Sequence, residues 1–170
     1  DGADRQRRQG IENHLATPVL GRVAARVEQT ARIGELARMI GGAAITASTR
    51  NLTDRQLDAI AESGGLVGLN FGCQFLRLDG LKNPATTAED MLRHLDHLLS
   101  RLGEGGVALG SDFDGTMIPA FMQDAAGLPL LVKAMQDAGY GDALIRRICW
   151  GNWMDVLARV IYGFRLSVAF

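Results

Sequence analysis

Val107-Ala108-Leu109-Gly110-Ser111-Asp112-Phe113-Asp114-Gly115 is the stretch on which the reading of the fold turns. An apolar run that stops at two aspartates and a glycine reads as a buried strand ending near Asp112. It delivers carboxylates to the loop at its C-terminal end, where α/β proteins keep their chemistry. Side chains alternate along a strand, so Asp112 and Asp114 point the same way if the extended conformation persists through them. Such a pair can share a metal ion, share a proton, or divide into acid and base. The plainer reading is an Asx-type turn at Asp114-Gly115, with Asp112 hydrogen-bonded to nearby backbone.

Upstream lies a second apolar run, Leu66-Val67-Gly68-Leu69-Asn70-Phe71. It is apolar on both faces, as expected of a parallel strand covered by helices. Between the two runs, residues 87–102 carry Met91, Leu92, Leu95, Leu98, Leu99 and Leu102 on one helical stripe. Thr86 and Glu89 fit a capping box at its start. Before the first run, Thr53 and Gln56 form another capping box, with Leu52 and Leu57 as its hydrophobic staple. A helix from Asp54 then ends at Gly64-Gly65. Further upstream, Ala43 to Thr46 reads as a short buried strand, preceded by an amphipathic helix over 19–40. The polar residues 1–17 read as an N-terminal arm. Strand, helix, strand, helix, strand is the rhythm of βαβ crossovers. Three helical segments follow: Leu128 to Ala138, Asp142 to Cys149 and Asn152 to Ile161.

The chain has 170 residues, 47% of them hydrophobic, and a net charge of −1, enough to bury one core without a nucleic-acid footprint. The cluster Arg5, Arg7 and Arg8 reads as a solvated tail. Cys73 and Cys149 match neither a metal nor a redox pattern and read as reduced core thiols of a cytoplasmic protein. No apolar run reaches the roughly 20 residues of a membrane span, and no signal-peptide pattern is present. The start at Asp1, without methionine, suits a fragment or a processed product.

His94 and His97 are three residues apart, a spacing that can serve a metal. The helical wheel instead puts His94 at the border of the apolar stripe, paired with Asp90, and His97 toward solvent. Asp112-Phe113-Asp114-Gly115-Thr116 also resembles the opening motif of haloacid-dehalogenase-like phosphatases, in which the first aspartate attacks phosphorus and magnesium neutralises the phosphate. That family needs a later lysine and an acidic pair. Lys133 follows the motif, and no acidic pair comes after it.

Taken in order, Arg50-Asn51-Leu52-Thr53-Asp54, Gly64 to Phe71, Arg93-His94-Leu95-Asp96-His97, Gly110 to Gly115 and Gly151-Asn152 resemble the C-terminal part of the membrane dipeptidase (renal dipeptidase) family of zinc peptidases. The resemblance implies an α/β fold, a partial (β/α)8 TIM-type barrel with a helical C-terminal region. Residues 18–170 would form a single partial metallo-dependent-hydrolase barrel domain. It implies hydrolysis of dipeptides at a binuclear zinc site. Asp112 takes the place of the catalytic acidic residue that manages the proton at the tetrahedral intermediate. Arg50 takes that of the arginine that receives the substrate carboxylate. Read by itself, Arg50 is an exposed arginine before a helix.

The ligands of that zinc site are not identifiable. Asp1-Gly2-Ala3-Asp4 resembles the segment of the bridging glutamate, with aspartate in its place. Gly42 to Ser48 resembles the strand that should end in a ligand histidine, but Thr49 follows, and His14 has no family motif around it. Complete barrels run to about 250 residues. The expectation is therefore a dipeptidase remnant, weakly active or inactive as this chain. Its uncovered sheet edge and its apolar tail near Phe170 favour self-association into a homo-oligomer. A non-catalytic self-associating module is the first alternative, and the phosphatase is the second.

Overall fold

Thr53 begins the first helix, and its capping box is the one expected from sequence. The Thr53 hydroxyl accepts the Gln56 N–H, and the Gln56 side chain accepts the Thr53 N–H at 2.9 Å. The structure is a computed structural model that describes residues 45, 46, 48 and 50–166, with side chains to residue 159. The expected arm over 1–17, the helix over 19–40 and the last residues of the tail lie outside the described residues. Ile45 and Thr46 are described, and they form a turn and a bend where a strand was expected. Thr46 is held there by side-chain bonds, its hydroxyl lying 3.3 Å from the Leu76 carbonyl.

Helix α1 (Asp54–Glu62) buries Leu57 and Ile60 and stops at Gly64, whose φ of +65° only glycine adopts without strain. The N–H groups of Gly64 and Gly65 return to the carbonyls of Ala61 and Ile60, which closes the helix end. Strand β1 (Val67–Asn70) follows and is buried along its length. A single turn, α2 (Cys73–Leu76), leads into a loop and then α3 (Ala88–Leu102). The cap of α3 is Thr87 with Asp90, one residue beyond the expected pair. Thr86 is buried instead, donating its hydroxyl to the Asn83 carbonyl at 2.7 Å.

Strand β2 (Val107–Ser111) pairs parallel with β1, in the register Val67 to Val107, Gly68 to Ala108 and Leu69 to Leu109. Asn70 then faces Ser111, so Gly110 is an extra residue on the β2 side. The strand ends at Ser111, one residue before Asp112. One core joins Leu57 of α1, Val67 and Leu69 of β1, Met91, Leu95 and Leu98 of α3, and Val107 of β2. Burying such side chains stabilises the fold by about 1.5–3 kcal/mol each.

Helices α4 (Leu128–Asp137) and α5 (Asp142–Arg146) complete the other side of this core through Leu131, Met135 and Ile145. The expected break between Cys149 and Asn152 is a π-helical turn, Arg147–Gly151, which runs on into α6 (Asn152–Leu166). Asn152 explains why the chain continues there. Its buried amide donates to the carbonyls of Glu104 at 2.6 Å and Val107 at 2.7 Å, fastening α6 to the start of β2. The Trp153 indole N–H adds a bond to the Leu109 carbonyl at 2.9 Å.

Candidate active site

The C-terminal ends of β1 and β2 carry Asn70 and Ser111, and the loops that leave them are tied together. Phe71 N–H donates to the Ser111 carbonyl at 2.8 Å, and Cys73 N–H to the Met117 carbonyl at 2.9 Å. The Phe71 and Phe113 rings meet edge to face at 5.5 Å. The Gln74 amide and the Thr116 hydroxyl lie 2.8 Å apart. Two neighbouring βα loops thus form one platform, on the side of the sheet where barrel enzymes place their reactive groups.

Asp112 sits at the edge of this platform. The extended backbone does not persist to it: Ser111 has φ +87° and Asp112 φ +80°, followed by a turn at Phe113–Gly115. Asp112 and Asp114 therefore do not alternate as strand residues, which corrects the expectation of a matched carboxylate pair. Two successive non-glycine residues at positive φ cost about 1–3 kcal/mol each, the kind of strain that collects at functional sites. The Asp112 carboxylate is exposed and accepts one bond from the Asn70 amide at 3.0 Å. Its other oxygen lies where a side chain on Gly115 would begin, 2.0 Å from an ideal Cβ.

Arg50 is exposed just before α1, its guanidinium 5.3 Å from the centre of the Phe75 ring. Phe75 belongs to α2, immediately beyond β1, so Arg50 is held against the same end of the sheet that carries Asp112. The neighbouring Asn51 fixes that placement by donating its amide to the Phe75 carbonyl at 3.1 Å.

His94 is not at the helix border. It is fully buried, with Nε2 3.1 Å from the Leu76 carbonyl and 3.3 Å from the Thr46 hydroxyl. Burial pushes its pKa down to about 4, so the ring is neutral near pH 7. Asp90, its expected partner, is engaged by Arg93 and by the cap at Thr87. His97 is half-buried and bonds the Asp54 carboxylate at 2.9 Å. Cys73 and Cys149 are free thiols.

The zinc implied by the resemblance finds no fit among the described residues, where no group of three or more His, Cys, Asp and Glu side chains converges on one point. His94 is turned into the core and His97 toward α1, so neither faces Asp112's loop as a ligand.

Residues missed by sequence reasoning are Asn70 and Gly115. Asn70 is the one polar residue in the run from Leu66 to Phe71, and that was the available signal.

Residues 37–162 match the model of the membrane dipeptidase family, peptidase family M19. The chain is 46% identical over 117 residues to an uncharacterized protein encoded 5′ of pqqA in Klebsiella pneumoniae, covering 69% of this chain and 43% of that one. It is 30% identical over 119 residues to the dipeptidase verJ of Clonostachys rogersoniana, covering 69% of this chain and 29% of that one. Among solved structures, a metallopeptidase from Rhodobacter sphaeroides, liganded with a phosphinate mimic of the dipeptide L-Ala-D-Ala, superposes with a TM-score of 0.70 at 52% identity. The superposition covers 72% of this chain and 35% of that one. The chain thus spans less than half the length of these relatives, and its fold is part of a TIM-type barrel.

Proposed function

The chain belongs to the membrane dipeptidase family, and from that premise we propose that it carries the proton-handling and carboxylate-binding side of a dipeptide hydrolase. The observation that supports this most is Asp112, an exposed carboxylate at the C-terminal end of a barrel strand, on strained backbone, with one oxygen engaged by a neighbouring side chain. In this reading Asp112 moves a proton between the attacking water and the departing amine. Arg50 offers its guanidinium fork to the free carboxylate of the dipeptide. Zinc is the family's metal. No ligand set for it stands among the described residues, and in this reading the chain hydrolyses dipeptides weakly or not at all. The phosphatase alternative loses its footing, because the family match runs through the Asp112–Thr116 stretch on which it rested.

Among the described residues no helix is long and apolar enough to cross a membrane. We place the chain in the cytoplasm, where Cys73 and Cys149 stay reduced. Self-association is the second reading. Trp150, Met154 and Leu157 favour it, 56%, 53% and 46% exposed at helical spacing.

The test is calorimetric zinc titration alongside hydrolysis of L-Ala-D-Ala, with sedimentation of the same preparation. The expected result is no tight binding of two zinc ions and little turnover. Any turnover present falls about a hundredfold in Asp112→Asn. Two zinc ions per chain with turnover dependent on Asp112 would restore a working dipeptidase, and turnover indifferent to Asp112→Asn would remove its catalytic role.

A further inference from the structure

Asn70 closes β1 as a residue only 7% exposed, with both ends of its amide engaged. Its Oδ1 accepts the Gly72 N–H at 2.7 Å, and its Nδ2 donates to Asp112 Oδ2 at 3.0 Å. The Gly72 N–H can only donate, so the amide has one orientation and its NH2 group must face Asp112. The backbone supports the same contact. Gly110 is the extra residue that shifts the register after Leu69, which sets Asn70 opposite Ser111 and brings Asp112 within reach. A side chain at Gly110 would lie 2.8 Å from the Leu69 carbonyl oxygen, and one at Gly115 would lie 2.0 Å from Asp112 Oδ1. The bulge and the turn are thus shaped around a single placement of this carboxylate.

We propose that Asn70 is the positioning residue of Asp112, holding the carboxylate by Oδ2 so that the proton is taken and released chiefly at Oδ1. An amide N–H donates and cannot receive a proton, and the oxygen that accepts it is the less basic of the two, so the proton favours Oδ1 while that bond stands. The charged partner makes it stronger than a neutral hydrogen bond. The same bond, with the bulge at Gly110, helps to hold Ser111 and Asp112 at positive φ against their preference. This inference rests on Asp112 being the proton carrier, and it adds which oxygen carries and which side chain decides so.

The experiment is NMR on the isotope-labelled full chain, followed through an acid titration. One Asn70 amide proton is expected downfield, moving together with the Asp112 carboxyl carbon as that group protonates, and standing still in Asp112→Asn. In Asn70→Ala the one-bond Cα–Hα couplings of Ser111 and Asp112 are expected to leave their positive-φ values, while the amides of α1 and α3 keep theirs. Asn70 amide protons that ignore the titration in a chain retaining the β1–β2 pairing overturn the proposal. So do unchanged couplings in Asn70→Ala. Should Asn70→Ala fail to fold, the Asp112→Asn comparison alone decides. Failure of the catalytic reading looks different, since turnover indifferent to Asp112→Asn leaves the NMR linkage intact.

Discussion

Where the chain enters the strand pair, its left-handed backbone positions fall on glycines, Gly64 at φ +65° and Gly103 at φ +69°. Immediately where it leaves β2, they fall on Ser111 at φ +87° and Asp112 at φ +80°. Glycine takes up such angles freely, whereas a residue with a Cβ is held in them by its surroundings. At the entering end the demand of the turn and the residue supplied agree, so the loops are connectors. At the leaving end they disagree, and Asn70, Gly110 and Gly115 are what keep Asp112 in place. The difference separates the end that stabilises from the end that can act.

The largest effect that tests this comparison is expected for Gly110→Ala. The new methyl would meet the Leu69 and Gly68 carbonyl oxygens at 2.8 and 2.9 Å, backbone atoms that cannot turn aside. Overpacking of this kind destabilises by up to about 3 kcal/mol. Chemical denaturation of the variant measures it. A midpoint equal to the parent's would show that the bulge is not what shapes the leaving end.

Next comes acid sensitivity, through His94 beneath the same loops. Above pH 6.5 the ring is neutral in both folded and unfolded chains, and the full stability is present. Between 6.5 and about 4 the unfolded chain binds a proton that the buried ring refuses, so stability falls as pH falls. The depression from 6.5 to about 4 corresponds to roughly 3 kcal/mol lost across that window. The cause is chiefly burial, opposed by the Leu76 carbonyl and added to by Arg93 and His97. Denaturation midpoints at stepped pH for the parent and His94→Gln measure it. Parallel curves for the two would remove His94 as the source.

Much of the entering end was legible in sequence because it is governed by local rules. Thr53 with Gln56, and Gly64 after α1, signal a start and a stop through residues next to the helix ends themselves. The cap of α3 slipped by one because Thr86-Thr87 and Glu89-Asp90 satisfy the pattern in two registers. Only the burial of Thr86 against Asn83 chooses between them. His94 follows Met91 by three residues and precedes Leu95 and Leu98, so its spacing allowed burial. What hid it was the partner, the Leu76 carbonyl, 18 residues away in sequence. Asp112 was singled out by the apolar run that stops beside it as well as by the family resemblance, and Arg50 by the resemblance alone. The positive φ at Ser111 had no sequence signal and that at Asp112 only the weak tolerance aspartate shares with asparagine, since the contacts that shape the loop come from Asn70, Gly110 and Gly115.

The smallest expected effect has the opposite sign and sharpens the comparison most. If the leaving end holds strain, relieving it without touching the carboxylate should stabilise the fold. Ser111→Gly does this. Ser111 is partly exposed at φ +87°, and it meets β1 through its backbone carbonyl, which the substitution keeps. Two terms compete, because glycine enlarges the conformational freedom of the unfolded chain while removing the penalty of a Cβ in the folded one. The penalty is about 1–3 kcal/mol and the entropic loss about 0.4–1 kcal/mol, so the net expectation is a gain of about 1 kcal/mol. Thermal and chemical denaturation of Ser111→Gly beside Gly64→Ala set the two ends against each other. The second variant forces a Cβ into φ +65° at the entering end and should lose stability as the first gains it. A loss in both would mean that Ser111 is as well suited to its angle as glycine is to its own, and the contrast between the two ends would fail.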